Sequence, residues 1–171
     1  MNTIALIKNT TSNFTTLCHK YFVIGSLLLI GYSLQLAFGI RVDLLVHFQE
    51  NNIYKQITGF LLFSLLVFQF WLGVSRNTKD NVTKKKRLLL HKWFGVGVLV
   101  ALYVHSISLG YAYQSVLVIV FLLNCWVGVC NSEVIRLRGI AYKLWVITHV
   151  SLANITMALV FYHIYITYKF S

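Results

Sequence analysis

Long apolar stretches with almost no charged residue constrain this chain more than any other feature of its sequence. A bilayer core requires about 20 predominantly apolar residues per helix, and five stretches qualify, the fourth of them near the short limit. They are roughly Tyr21–Ile40, Ile57–Ser75, Leu88–Gly110, Gln114–Cys130 and Tyr142–Tyr168. We therefore predict an all-α integral membrane bundle, with a five-helix transmembrane domain over residues 21–171 and a cytoplasmic N-terminal segment over residues 1–20.

The composition agrees with a membrane protein and argues against several other classes. Of the 171 residues 58% are hydrophobic and the mean hydropathy is +0.72, more than a soluble domain of this size requires. Lys and Arg outnumber Asp and Glu by 15 to 4, an excess that suits topology control and contact with anionic membrane lipid. No basic run with interleaved aromatics lies outside the apolar stretches, so we expect no nucleic acid partner. The three cysteines form no CxxC motif, which argues against a disulfide framework and covalent haem attachment.

The basic residues concentrate in two connections between the spans, and this distribution predicts the orientation. The connection between the second and third spans and the start of the third contain Arg76, Lys79, Lys84, Lys85, Lys86, Arg87 and Lys92, against Asp80. The connection between the fourth and fifth spans, which lies on the same side of the membrane, contains Arg136, Arg138 and Lys143, against Glu133. Because cytoplasmic loops are enriched in Lys and Arg, we predict a cytoplasmic N-terminus and an outside C-terminus. The expected location is a bacterial inner membrane, with the first span retained as a helix.

Four histidines lie within the apolar spans at a repeated spacing. His91 and His105 are fourteen residues apart in the third span, and His149 and His163 are fourteen apart in the fifth. Fourteen residues of α-helix rise about 21 Å and end about 40° short of a whole number of turns. Each span therefore presents two imidazoles on nearly one face, at two depths.

The third and fifth spans run in the same direction, so the four imidazoles form two pairs at matched depths. His91 and His149 share the inner depth, and His105 and His163 share the outer depth. Neutral imidazole suits iron, zinc, copper or nickel. Zinc prefers four ligands, and no Cys, Asp or Glu lies at either depth to complete such a site, whereas haem iron requires only two axial ligands. The pattern predicts two haem groups with bis-histidine ligation between the third and fifth spans, one at each pair.

Small and basic residues next to the histidines favour the same interpretation. Gly95 and Ala153 each follow a histidine by four positions and would let a flat cofactor lie against the backbone. Arg87 and Lys92 are candidates for binding the propionates of the inner haem, since charged donors suit carboxylates. Outer candidates are Arg41, Lys55, Ser106, Tyr111 and Tyr113. The alternative interpretation is that the four histidines form helix–helix hydrogen bonds or a proton path.

The segments "LHKWFGVGVLVALYVHS" and "YKLWVITHVSLANITMALVFYHI" resemble the haem-binding core of the ferric reductase-like transmembrane family. That family includes ferric-chelate reductases, NADPH oxidases and haem-quinone subunits of methionine sulfoxide reductase systems, and cytochrome b561-type proteins share its architecture. The similarity covers roughly residues 55–168. It implies that His91 and His149 ligate one haem b, and that His105 and His163 ligate the other.

The resemblance implies a membrane-embedded diheme b-type cytochrome that carries electrons across the bilayer as part of a larger oxidoreductase. The chain contains no G-x-G-x-x-G segment, so we expect no NAD(P)H or flavin domain in it and expect electrons from a quinol or a partner subunit. Whether the chain is itself an enzyme stays open. One rival is a quinol-oxidising or quinone-reducing anchor subunit, with Gln35 and Gln69 lining a quinone pocket. The other is a non-redox membrane assembly or transport protein.

Overall fold

A computed structural model of the chain describes residues 3–75, 80–130 and 138–170, with side chains from residue 20 onwards. The described residues contain helices and no strands, which confirms the predicted all-α class. In chain order the helices are α1 (Thr3–Phe38), α2 (Asp43–Glu50), α3 (Asn52–Val74), α4 (Asn81–His105), α5 (Tyr113–Val129) and α6 (Gly139–Lys169).

Four segments within the described ranges are long and apolar enough to cross a membrane: Lys20–Phe38 of α1, and helices α3, α4 and α6. They correspond to the predicted first, second, third and fifth spans. Helix α5 is apolar but has only 17 residues, fewer than the bilayer core requires when a helix runs straight across it. The predicted count of five spans therefore stays a prediction.

Large apolar side chains face outwards along these helices. Leu27 is 64% exposed, Ile57 63% and Ile147 60%. A monomeric soluble protein rarely exposes contiguous apolar patches of more than a few hundred Å². Several long helices with such surfaces are compatible with a membrane protein, in which lipid tails cover the apolar side chains.

The buried core lies around α4. Its members come from α1, α3, α4 and α5: Leu29, Tyr32, Leu62, Val98, Leu99, Ala101, Leu102, Val118, Phe121 and Leu122. Helix α4 packs against α3 and α1, and α5 packs against α6 and α1. The last four helices therefore form two antiparallel hairpins, α3–α4 and α5–α6, with α1 packed against one helix of each.

The connection after α1 differs from the sequence prediction because it contains the short helix α2. Gln49 of α2 donates to the main-chain oxygen of Val104 at 2.8 Å and accepts from the N–H of Ile107 at 3.1 Å. Tyr54 of α3 also donates to the Val104 oxygen, at 3.1 Å. Carbonyls in the last turn of a helix need partners outside the helix, and these side chains provide them. Helix α4 consequently ends at His105 and does not continue to Gly110.

Helix α4 begins at the N-cap residue Asp80, whose stabilisation of the helix should depend on pH. The carboxylate of Asp80 accepts hydrogen bonds from the Thr83 hydroxyl and from the N–H groups of Thr83 and Val82. These bonds, the Thr83 hydroxyl first, lower the pKa of Asp80. A lowered pKa means that the capping contribution is complete above the usual carboxyl pKa and is lost as the pH falls through the folded-state pKa.

We expect Asp80→Ala to increase amide hydrogen exchange at Val82 and Thr83, because it removes the acceptor of their N–H groups. Asp80→Asn is the matched control, since its side-chain oxygen still caps the helix but does not titrate. Exchange in the asparagine variant should stay slow as the pH is lowered into the acid range. Equal exchange in all three proteins would contradict the assigned cap.

Candidate functional site

The four predicted histidines lie on α4 and α6 and meet in the predicted pairs. The ring centroids of His91 and His149 are 6.3 Å apart with an interplanar angle of 85°. Those of His105 and His163 are 6.4 Å apart with an angle of 79°. The two helices therefore run in the same direction with matching register, as the fourteen-residue spacing predicts.

The spacing within each pair leaves room for one metal ion between the two rings. An imidazole nitrogen binds such an ion at about 2 Å, so an ion held between two imidazoles keeps their centroids about 6 Å apart. Both pairs have this separation. Across the described ranges no group of three or more His, Cys, Asp or Glu side chains gathers as a metal-binding cluster, and the imidazoles are arranged as two separate pairs.

A cavity adjoins the His105–His163 pair. Its volume is about 690 Å³ and both histidines line it, within the 300–1,000 Å³ range of sites that hold small molecules and cofactors. Apolar side chains from four helices form most of its wall, among them Leu62, Phe63, Leu102, Val118, Phe121 and Val160. Arg41, Lys55 and Ser106, which the sequence suggested for the outer propionates, also line it, whereas Tyr111 is 91% exposed.

A hydroxyl group on α3 orients the His105 ring. The Thr58 Oγ1 lies 3.0 Å from His105 Nδ1 and 2.8 Å from the main-chain oxygen of Tyr54. A carbonyl can only accept, so with the hydroxyl proton donated to the main-chain oxygen of Tyr54 the Thr58 oxygen accepts from His105 Nδ1–H. With the proton on Nδ1, a neutral His105 carries its lone pair on Nε2. That nitrogen is then available as a ligand.

His163 has an equivalent hydroxyl partner on α5. The Tyr113 hydroxyl lies 3.4 Å from His163 Nδ1, a longer contact than the one at His105. Metal-binding histidines commonly donate their second ring N–H to such a partner, which fixes the ring and raises its basicity. Both histidines of the outer pair therefore have an orienting group on the first helix of their own hairpin.

Two glycines allow close approach of a neighbouring helix to a histidine ring. A Cβ atom added at Gly59 of α3 would lie 3.1 Å from His105 Cε1, and one added at Gly128 of α5 would lie 3.1 Å from His149 Cε1. Contacts this short are uncommon for a real Cβ. Each pair thus has one ring packed directly against a glycine backbone.

Trp145 supports His149 from within α6. Its indole ring is nearly parallel to the imidazole, with centroids 5.9 Å apart and an interplanar angle of 6°. Its Nε1–H donates to the main-chain oxygen of Val127 at 2.7 Å. The side chain therefore joins the His149 turn of α6 to the end of α5.

The other predicted site residues make contacts of their own. Gly95 faces α3, where an added Cβ would lie 3.1 Å from the Gln69 amide nitrogen. Arg87 donates to the main-chain oxygen of Ser75 and lies 6.0 Å from the Trp71 ring. The Lys92 ammonium lies 4.8 Å from the centroid of the Tyr21 ring on α1. Ala153 is half-buried on α6, one turn after His149.

The two glutamines considered for a quinone pocket each donate to a main-chain carbonyl. The Gln35 amide nitrogen lies 3.5 Å from the Ile107 oxygen. That of Gln69 lies 2.9 Å from the His91 oxygen. These bonds hold α1 and α3 against α4 and the segment that follows it.

The ends of α3 and α5 contain a short internal repeat that the sequence interpretation did not use. "QFWLGVS" at the end of α3 (residues 69–75) matches "NCWVGVC" at the end of α5 (residues 124–130) in its Trp, Gly and Val positions. Continued backwards without a gap, the same alignment pairs Thr58 with Tyr113, the two hydroxyl partners. The hairpins α3–α4 and α5–α6 therefore share a short similar segment, and each hairpin contributes one histidine to each pair.

Comparison of the chain with protein-family models, with curated proteins and with solved structures finds no match in any of the three.

Proposed function

We propose that the chain is a membrane-embedded diheme cytochrome b that carries electrons between two haem b groups stacked along the bundle. The observation that carries the proposal is the separation of the ring centroids, 6.3 Å in one pair and 6.4 Å in the other. His91 and His149 would ligate the inner haem, and His105 and His163 the outer one. Both pairs follow from the fourteen-residue spacing on two helices of the same direction, and each would admit an iron ion between its two rings.

The residues around each pair suit this role. When bound, haem supplies a one-electron ferric–ferrous couple, and two axial imidazoles leave the iron no open position, which favours electron transfer over oxygen binding. Thr58 and Tyr113 would accept from the Nδ1–H groups of His105 and His163, which would leave each Nε2 to bind iron. Apolar side chains such as Leu62 and Phe121 line the cavity and would lower the polarity around the haem, which helps to set its potential. Arg41 and Lys55, at the cavity wall, would bind the carboxylates of the outer haem.

The proposal includes the orientation and partners expected from the sequence. The N-terminus and the inner pair would face the cytoplasm of a bacterial cell, and the outer pair the opposite side. Electrons would come from a quinol or from another subunit of a larger oxidoreductase. The exposed Lys84, Lys85 and Lys86 at the start of α4 would contact anionic lipid headgroups on the cytoplasmic side.

Electron transfer across a bilayer tests the function directly. The haem-loaded chain is reconstituted in liposomes with reductant trapped inside and ferricyanide, which does not cross the membrane, outside. We expect ferricyanide reduction that depends on the protein and is lost in His149→Ala, because the variant lacks one of the two relay sites. Reduction at the rate of protein-free liposomes, with both haems present, would overturn the assignment as a transmembrane carrier.

The hydroxyl partners should set the potential of the outer haem. An acceptor at Nδ1 makes the imidazole a stronger electron donor to iron, which stabilises the ferric state. We therefore expect Thr58→Val and Tyr113→Phe each to raise the midpoint potential of the outer haem, with a larger shift for Thr58→Val because its contact is shorter. A spectroscopic redox titration measures this shift. The inner haem is the internal control, and an unchanged outer potential in both variants would contradict the role.

A further inference from the structure

We infer that Gln69 and Asn124 are the positioning residues of the inner pair, acting on His91 and His149 as Thr58 and Tyr113 act on His105 and His163. The inference rests on the proposed function and extends it to residues on α3 and α5. It assigns one orienting side chain to each histidine, always from the first helix of the same hairpin.

The internal repeat is the first argument. Gln69 and Asn124 open the matching segments "QFWLGVS" and "NCWVGVC", and they occupy equivalent places in the two hairpins. Both are amide side chains within otherwise apolar helices. The same alignment pairs Thr58 with Tyr113, the two hydroxyl partners of the outer histidines.

The contacts of Gln69 place its amide at the inner end of α4. Its nitrogen donates to the main-chain oxygen of His91 at 2.9 Å, and the absence of a side chain at Gly95 allows this approach. The amide oxygen is buried and has no hydrogen-bond partner among the described residues. A buried carbonyl without a donor is costly. A hydrogen bond from a donor on the neighbouring turn of α4, which carries His91, would remove this cost.

Asn124 is placed in the same way on the second hairpin. Gly128, one helical turn later on the same face of α5, packs against the His149 ring. The face that carries Asn124 is therefore turned towards α6 near His149. Its side-chain oxygen is also buried without a hydrogen-bond partner in the part of the chain that the structure describes.

An amide oxygen is an acceptor, and the group it would serve is an imidazole N–H. Accepting from Nδ1–H, directly or through one ordered water, would keep the proton on that nitrogen and leave Nε2 for the iron. It would also raise the basicity of the ligand and so lower the potential of the inner haem. Gln69 and Asn124 act through the histidines and make no contact with the iron in this account.

The test is a redox titration of the two haems in the full-length purified protein, together with ferric low-spin electron paramagnetic resonance spectra. Gln69→Leu and Asn124→Leu should each raise the midpoint potential of the inner haem and shift its signal. The outer haem should not change. Gln69→Glu, which replaces the amide by a stronger acceptor, should lower the inner potential. A variant that only loosens packing would not move the potential in opposite directions for leucine and glutamate.

If both leucine variants bind two haems and the midpoint potential of the inner haem is unchanged, the inference is wrong and the proposed function still stands. If the purified wild-type protein binds no haem, the proposed function itself is wrong. If Gln69→Leu does not fold, Asn124→Leu and Gln69→Glu provide the same comparison. A shift confined to the outer haem would also reject the assignment.

Discussion

Replacing His91 or His149 by alanine should remove the same haem and leave the other bound, so that either variant retains about one haem per chain. The reason is that the two residues contribute one imidazole each to a single pair, with ring centroids 6.3 Å apart. Removing either ligand leaves the iron with one protein donor at that depth. Haem content by the pyridine haemochrome assay and the potential of the remaining haem together identify which site is lost.

The corresponding variants of the other pair complete the test. His105→Ala and His163→Ala should both retain the inner haem, which His91→Ala and His149→Ala lose, and should both lack the outer haem. His47→Ala is the control, because His47 lies exposed on the short helix α2 and should leave both haems bound. Loss of different haems in His91→Ala and His149→Ala would contradict the pairing.

Replacing Gly128 by valine should weaken the binding of the inner haem by about 10- to 100-fold, as for other residues that support metal ligands. A Cβ at this position would already lie 3.1 Å from His149 Cε1, and the branched methyl groups of valine need further space. The ring of His149 must then move, and it is stacked on Trp145, which limits that movement. Haem titration of the purified variant measures the affinity.

Gly73→Val is a matched control for this change. Gly73 holds the position equivalent to Gly128 in the internal repeat, yet nothing lies within 4 Å of a Cβ added there. The same substitution in an equivalent helix should therefore leave both haems bound. Gly59→Val should act like Gly128→Val, but on the outer haem, because Gly59 faces His105 at the same distance. Equal haem loss in the Gly73 and Gly128 variants would indicate a general effect of valine on the helices.

The sequence predicted the histidine pairs because helix geometry is rigid. Fourteen residues fix both the rise and the rotation between two side chains, so equal spacings on two helices of the same direction bring both pairs to matched depths. The all-α class followed from the length of the apolar stretches. These are properties of single helices, and they need no knowledge of which helix packs beside which.

The supporting residues depend on contacts between helices, and the sequence interpretation did not find them. Thr58 and Tyr113 are ordinary polar residues until α3 and α5 pack beside α4 and α6. Gly128 has no visible role without His149 next to it. The repeat of the α3 and α5 ends was a signal in the sequence that could have indicated a similarity between the two hairpins.

The short helix α2 and the end of helix α4 could not be predicted from the pattern of any single helix. Helix α2 has only eight residues, too few for a hydrophobic period to be distinctive. Its Gln49 then bonds the end of α4, so the end of α4 depends on a helix that the sequence pattern did not reveal.

The stoichiometry of haem to protein shows whether both histidine pairs bind haem. The full chain is expressed with adequate haem, purified in detergent, and examined by reduced-minus-oxidised absorption and by pyridine haemochrome assay. We expect b-type Soret and α bands and about two haems per chain, one for each histidine pair. A purified, folded chain without these bands would contradict the proposed function.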